Sequence, residues 1–309
     1  MSSRGDVVQA DMVGRVVAVT GAGNGLGRAH AMAFAAAGAA VVVNDLGGSR
    51  DGSGGSAGPA QQVVDEIVEA GGRAVANTDD ISTWHGGKGL IDQAVDTFGR
   101  LDVLVNNAGI LRDRMVTSMS ESEWDAVIAV HLKGAFCPTR HAAEYWRGQS
   151  KAGKDVDARV INTTSPSGLF GSTGQTNYGA AKAGIAGFTV IAAMELARYG
   201  VTVNAVAPTA LTRLTDDLPA VHEMAGSIDL SPEGVSPVAV WLAGPVARGV
   251  TGRVLAVFGG TIAVVEGWSY GPEVSSDQRW TAERLDDVLP GLLAKAAPNA
   301  DMTGHRPPK

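Results

Sequence analysis

Short β-branched runs recur along the chain and are separated by longer stretches in which small and apolar residues dominate. The first run is Val16-Val17-Ala18-Val19-Thr20, and the next is Ala40 to Asn44, the end of an apolar stretch that begins at Ala31. Ala74-Val75-Ala76 opens a third that runs to Asp79-Asp80-Ile81, followed by Leu101 to Val105, Ala158 to Thr164, Val201 to Val206 and Val250 to Gly260. Runs that are apolar at successive positions read as strands covered on both faces, the habit of a parallel sheet. Between them, Val63, Val64, Ile67 and Val68 follow helical spacing and stop at Gly71-Gly72. Further helices are predicted before Phe98-Gly99, across Val130 to Phe136, from Tyr178 to Tyr199 and around Val238 to Leu242. Trp84 to Lys88 reads as a small loop insertion, and Pro208 as the end of the sixth strand. The alternation predicts an α/β fold, a single doubly wound parallel sheet, over residues 1–266. Residues 267–309 form a C-terminal extension with a helical pattern from Arg279 to Ala296, whose apolar side is Trp280, Leu285, Val288, Leu292 and Leu293. It is expected to pack on the same domain or on a partner subunit, either shielding an active-site mouth, crossing to that partner or serving as an extra surface helix, and the Pro307-Pro308 terminus is expected to be disordered.

Composition narrows the function. With 309 residues and 45% hydrophobic content, the chain can bury a substantial core. A net charge of −7 argues against nucleic acid or an anionic membrane surface as a general partner. The single Cys137 excludes an internal disulfide framework, fits a reducing compartment and reads as a small buried side chain. The polar start lacks the apolar core of a signal peptide, and the Ala31–Val43 run is too short to span a bilayer, so a cytoplasmic location is expected. No metal-spaced His/Cys set is present in the sequence, and no metal is expected.

Candidate chemistry lies in the stretch Ser165 to Lys182. Tyr178 and Lys182 stand four apart, so on a helix they project from one face. A tyrosine of ordinary pKa, about 10, is a poor acid or base at neutral pH unless a nearby cation favours its anion. Lys182 is that cation, and Ser165 is the best candidate hydroxyl for holding a carbonyl or alcohol oxygen while Tyr178 moves the proton. The other half of such a reaction is a hydride carrier. Gly21-Ala22-Gly23-Asn24-Gly25-Leu26-Gly27 follows the first strand at once and precedes helical sequence. Glycines in that position allow a tight turn and let the backbone approach a pyrophosphate resting on a helix N-terminus, so the sheet is read as Rossmann-like. Asp45 lies at the end of the second strand, where a carboxylate grips the adenosine ribose and repels a 2′-phosphate. NAD is therefore the expected cofactor, with Arg28 and Arg50 the nearby cations able to reverse the preference. The glycine-rich segment from Gly47 to Gly58 reads as a flexible loop, which folds over the adenosine or stays idle.

These motifs resemble the short-chain dehydrogenase/reductase family: Thr20 through Gly27, Asn106-Asn107-Ala108-Gly109, and Ser165 placed thirteen before Tyr178 with Lys182 four after. The pentapeptide Ile110-Leu111-Arg112-Asp113-Arg114, with Val43 to Gly48 and Gly174 to Tyr178, narrows the resemblance. It points to the (3R)-hydroxyacyl-CoA dehydrogenase part of peroxisomal multifunctional enzymes and to bacterial hydroxysteroid and hydroxyacyl-CoA dehydrogenases. The resemblance implies cofactor contacts from Gly21, Asn24, Gly25, Leu26, Gly27 and Asp45, and Asp80 and Ile81 flanking the adenine. It also implies a cofactor-side role for Asn107, Ala108 and Gly109, and backbone of Pro208-Thr209 near the nicotinamide, where the family commonly has Pro-Gly. Tyr178 and Lys182 would serve both catalysis and cofactor. His131 occupies the position where the family usually has an Asn that anchors a water in the proton relay, and it is carried as a catalytic candidate. Leu211 to Ser231 corresponds to the family's substrate lid, where Leu211, Leu214, Leu218 and Met224 either line a lipid-sized pocket or pack on the body. The implied protein is an NAD-dependent secondary-alcohol dehydrogenase, a homodimer or homotetramer acting on an acyl-CoA or steroid. The alternatives are a hydroxysteroid dehydrogenase or 3-oxoacyl reductase on the same fold, and a non-catalytic cofactor-binding protein.

Overall fold

The structure is a computed structural model that describes residues 11–212, 226 and 228–306. Seven parallel strands are joined into one sheet with an antiparallel eighth: β1 (Val16–Thr20), β2 (Ala40–Asn44), β3 (Arg73–Asn77), β4 (Val103–Asn106), β5 (Ala158–Thr163), β6 (Val201–Thr209), β7 (Val254–Phe258) and β8 (Thr261–Val265). Their order is β3-β2-β1-β4-β5-β6-β7-β8. The order reverses between β1 and β4, the point at which doubly wound sheets open a crevice for a ligand.

Each central strand is apolar at successive positions because both faces are covered. Val17, Val19, Val41, Val43, Val103 and Val105 point into one core, which also takes Phe34 of α1 (Gly25–Ala36), Ile67 of α2 (Gly58–Glu69) and Leu242 of α8 (Ser236–Ala243). The intervening residues Val16, Ala18, Val42, Leu104 and Val160 face a second core. That core is closed by α3 (Trp84–Phe98), α5 (Gly134–Lys151) and α7 (Thr176–Leu196), with Leu90 and Trp146 buried in it. Trp146 satisfies its buried indole N–H on the Leu101 carbonyl at 2.7 Å. Cys137 is buried, as its size and apolar character suggest.

Several boundaries differ from the sequence reading. Trp84 to Lys88 is not an insertion but the first turn of α3, capped by the Thr83 hydroxyl, which accepts from the Gly86 N–H at 3.0 Å. β3 stops at Asn77, and Asp79 to Ile81 lie beyond it. β6 continues through Pro208 to Thr209. The Val206 carbonyl faces β5, accepting from Thr164, whereas Ala205 donates toward the β7 side, to Arg253. Pro208 therefore turns its missing N–H toward β5, which has already ended at Thr163, and no ladder bond is lost. A strand absent from the sequence reading follows Gly260: β8 folds back on β7 and presents Ile262 and Val264 to the exterior. The helix carrying His131 is interrupted: α4 (Glu121–Ile128) passes through a π-turn (Ala129–Lys133) into α5. In the extension, α9 (Ala282–Lys295) buries none of its residues. Leu214, Leu218, Met224 and Pro307-Pro308 lie outside the described residues.

Candidate active site

A cavity of about 580 Å³ opens at the carboxyl ends of the parallel strands, within the size range of ligand sites. One end of it is the β1–α1 turn. Gly21 and Gly25 adopt φ of +61° and +49°, which side-chain-bearing residues rarely take. A Cβ on Gly27 would lie 2.1 Å from the Gly21 carbonyl oxygen and 2.5 Å from Asn107 Nδ2. Backbone therefore packs on backbone here, leaving the N-terminus of α1 open to the cavity. Asn107 follows β4 and ties the turn down, donating from Nδ2 to the Thr20 and Gly21 carbonyls at 3.0 and 3.2 Å. The Thr20 hydroxyl accepts from the N–H groups of Asn107 and Ala108.

Asp45 stands at the end of β2. Its carboxylate accepts from the Gly23 N–H at 2.8 Å and the Gly47 N–H at 2.7 Å, one through each oxygen. Four lone-pair positions on a carboxylate leave acceptor capacity for ribose hydroxyls. Arg28 is committed elsewhere, paired with Glu66. The glycine-rich loop is folded rather than idle: the Arg50 and Asp51 carbonyls accept from the Leu111 N–H and Arg112 Nε, and Gly48, Ser49 and Gly52 line the cavity. Asp80 turns its carboxylate onto Ser82 N–H and hydroxyl, setting up the start of α3, while Ile81 is buried. Both border the cavity. Leu26, Asn24, Ala108, Gly109, Pro208 and Thr209 do so as well. The residues that would hold a dinucleotide thus fit one: a glycine cradle with no room for a Cβ, an acceptor at the second strand's end and an open helix N-terminus.

Toward the centre of the sheet, β5 delivers Ser165, which caps the short helix α6 (Pro166–Phe170) by accepting from the Ser167 N–H at 3.2 Å. The following helix α7 starts at Thr176, so Tyr178 and Lys182 fall in its first two turns. Lys182 is 3% exposed and lies with Nζ 5.5 Å from the Tyr178 ring centroid, donating to the Thr163 carbonyl at 2.6 Å. Burial pulls its pKa down to about 7. Burial pushes the Tyr178 phenol up to about 12, countered by its hydrogen bond to Ser165 and reinforced by the negative charge of Asp113. The expected depression of the phenol by Lys182 is therefore not realised in this structure: desolvation outweighs what favours the anion.

His131 sits in the π-turn, a local distortion frequent at functional sites. Its ring meets Tyr178 edge-on at 5.1 Å between centroids. Burial, helped by the Lys182 charge, drives its pKa down to about 3, so the ring is neutral. Nε2 faces the backbone of Ile110, 3.1 Å from its N–H and 2.8 Å from its carbonyl, and the tautomer decides which bond forms. Nδ1 is buried with no partner among the described residues, an arrangement suited to a bound water.

Three features were missed by sequence reasoning. Ser167 and Gln175 join the cavity wall, hydrogen-bonded to each other at 2.8 Å. The far C-terminal residues Met302, Thr303 and His305 line the same cavity, in a turn organised by the Asp301 carboxylate. Gly304 packs there on Phe170, its Cβ direction pointing 3.3 Å from the ring edge. Ser167 and Gln175 flank the motif residues in sequence, whereas for the extension shielding of an active-site mouth was one of several open readings and no motif singled out residues 302–305. Among the described residues, no His, Cys, Asp and Glu cluster is suited to a metal.

The short chain dehydrogenase family model matches residues 15–222. A hydroxyacyl-CoA dehydrogenase of Mycobacterium tuberculosis is 48% identical over 303 residues, which cover 95% of this chain and 93% of that protein. The peroxisomal multifunctional enzyme type 2 of Mus musculus is 46% identical over 230 residues, 74% of this chain and 30% of the much longer mouse enzyme. The crystal structure of a short chain dehydrogenase from Mycobacterium avium superposes with a TM-score of 0.84 at 57% identity, covering 94% of this chain and 98% of that one. With this sheet, this glycine turn and a match over most of its length, the chain belongs to the short-chain dehydrogenase/reductase family, as an alcohol-type dehydrogenase that uses NAD(P).

Proposed function

We propose that the protein is an NAD-dependent dehydrogenase that interconverts a (3R)-hydroxyacyl-CoA and its ketone in the breakdown of fatty acids or sterol side chains. The observation that carries the chemistry is the convergence of Ser165, Tyr178 and Lys182 on the same cavity as the glycine cradle and Asp45. Similarity to enzymes named for hydroxyacyl-CoA chemistry supports the substrate class. When bound, the nicotinamide supplies the hydride acceptor. In the oxidation, Ser165 and Tyr178 hold the substrate hydroxyl between them, and Tyr178 takes its proton as general base. Lys182, its amine held by the Thr163 carbonyl, binds the nicotinamide ribose and in its charged form supports the phenolate once the site is filled. The neutral His131, whose Nδ1 is buried without a partner among the described residues, anchors the water that returns the proton to solvent.

Asp45 supports NAD over NADP, because a 2′-phosphate would meet a carboxylate already held in place by two backbone N–H groups. The enzyme is further read as a cytoplasmic homo-oligomer, with Val190, Ile191 and Met194 of α7 exposed together and suited to a second copy. Loss of the oligomer in Met194→Glu, followed by size-exclusion chromatography, tests that face, and an unchanged elution would refute it. The principal test is a panel of 3-hydroxyacyl-CoA, hydroxysteroid and 3-oxoacyl substrates assayed with NAD(H) and NADP(H) by cofactor absorbance. The proposal expects the highest kcat/KM for the (3R)-hydroxyacyl-CoA with NAD. A preference for a steroid, or for the phosphorylated cofactor, would contradict the corresponding part.

A further inference from the structure

The segment Ile110-Leu111-Arg112-Asp113-Arg114 runs from the end of β4 to the start of the Tyr178 helix. The Arg114 N–H donates to the Gly174 carbonyl at 2.8 Å, and Arg114 forms a parallel bridge with Gln175. The Arg112 carbonyl accepts from Asn177 Nδ2 at 2.9 Å. Between these contacts, Asp113 Oδ2 accepts from Gln175 Nε2 at 2.8 Å. Gln175 Oε1 accepts from the Ser167 hydroxyl at 2.8 Å, and the Ser167 N–H donates to Ser165 Oγ at 3.2 Å. The Ser165 hydroxyl in turn acts on the Tyr178 phenol, favouring its anion. Gln175, Ser167 and Ser165 are all buried.

The sequence of bonds has a direction. An ionised carboxylate only accepts, so Asp113 draws the NH₂ end of the Gln175 amide to itself and leaves the carbonyl end for Ser167. That acceptor commits the Ser167 hydroxyl hydrogen, and α6, with Ser165 as its cap, is held against the start of α7. A primary amide unsupported at one end can flip, and a flipped Gln175 would present donors to Ser167. Buried chains of this kind hold one geometry when every member is satisfied.

We propose that Asp113 is a positioning residue for the alcohol chemistry, acting through Gln175 and Ser167 to hold Ser165 in the orientation that meets Tyr178 and the substrate oxygen. The proposal rests on the reading of Ser165 and Tyr178 as the proton-handling pair. Its second consequence is electrostatic. Among the described residues, the groups facing the phenol are Lys182 from its own helix, the neutral His131 from the π-turn, the Ser165 hydroxyl at the cap of α6 and Asp113 from the segment after β4. The negative charge of Asp113 opposes ionisation of Tyr178.

Two variants separate position from charge. Asp113→Ala removes both the acceptor and the charge, and Asp113→Asn keeps an acceptor oxygen for Gln175 while removing the charge. With any secondary alcohol the wild type oxidises, Asp113→Ala is expected to lower kcat by tenfold or more, on the order of what a displacement of about 1 Å produces, with the NAD dissociation constant unchanged. Asp113→Asn is expected to recover most of kcat and to move the pH profile of kcat to lower pH, because the charge resisting phenolate formation is gone. Wild-type kcat in Asp113→Ala would overturn the proposal, as would an unmoved pH profile in Asp113→Asn, which also decides the matter if the alanine variant fails to fold. Intact turnover in Tyr178→Phe would overturn the parent reading along with this one, so the two failures are told apart by which variant retains activity.

Discussion

Gly27 is the position at which a single methyl group should uncouple cofactor binding from the fold. In Gly27→Ala the new Cβ falls 2.1 Å from the Gly21 carbonyl oxygen and 2.5 Å from Asn107 Nδ2, where real Cβ contacts below 3.0 Å are essentially never seen. The first of these neighbours is backbone, so the start of α1 must retreat from β1 by about 1 Å, and overpacking of this kind costs about 1–3 kcal/mol. The retreat also pushes on Asn107, whose bonds to Thr20 and Gly21 hold the turn. If the cost falls on the bound geometry, NAD affinity drops by about 5- to 150-fold, at 1.4 kcal/mol per factor of ten. Calorimetric titration of NAD into wild type and variant measures it, with thermal melting to show that the variant is folded. Gly25→Ala is the comparison: its Cβ has room, 3.5 Å from Thr212, but its φ of +49° strains a side chain, so a milder loss of about 1–2 kcal/mol is expected. An NAD affinity within twofold of wild type in Gly27→Ala would refute the close-packed cradle.

Two further outcomes are expected. His30, bonded to Ser236 at 2.9 Å, and His131 are both buried, with pKa values lowered from 6.5 to about 4 and about 3. The unfolded chain binds these protons first, so the stability tied to the neutral rings is complete above 6.5 and is lost as pH falls toward the lowered folded values. The loss is up to about 1.4 kcal/mol per histidine per pH unit; urea midpoints measured down that range should fall steeply, and flat midpoints would show that the rings are not held neutral. Removal of residues 297–309 takes away Met302, Thr303 and His305 from the cavity wall. It should raise KM for the alcohol substrate severalfold while leaving NAD affinity near wild type, and unchanged kinetics would show that the turn against Phe170 takes no part in binding.

The parallel sheet was legible because its signals are local and redundant: β-branched runs buried on both faces, glycine turns and small-residue helices. The same holds for Tyr178 and Lys182, whose spacing places them on one helix face wherever the helix begins. Misreadings came from features decided at a distance. Trp84 to Lys88 carries two glycines and looks like a loop, yet Thr83 caps it and the helix buries Gly86 and Gly87 against its neighbours. Pro208 reads as a strand terminator unless it is known which side of β6 has lost its neighbour. The phenol's pKa depends on how dry its surroundings are, and residue spacing carries no desolvation. The contact of residues 302–305 with the cavity joins positions far apart in the chain, and no periodicity encodes it.

The central claim is that Tyr178 transfers the proton in an alcohol–ketone redox reaction. Tyr178→Phe removes one hydroxyl from a ring that is otherwise held by packing on His131 and by its helix. Steady-state turnover of the preferred alcohol, measured beside calorimetric NAD binding, should show kcat reduced by at least about a hundredfold, the lower bound for a lost general base, with the cofactor bound as in wild type. Turnover retained at the wild-type level, with cofactor still bound, would contradict the account.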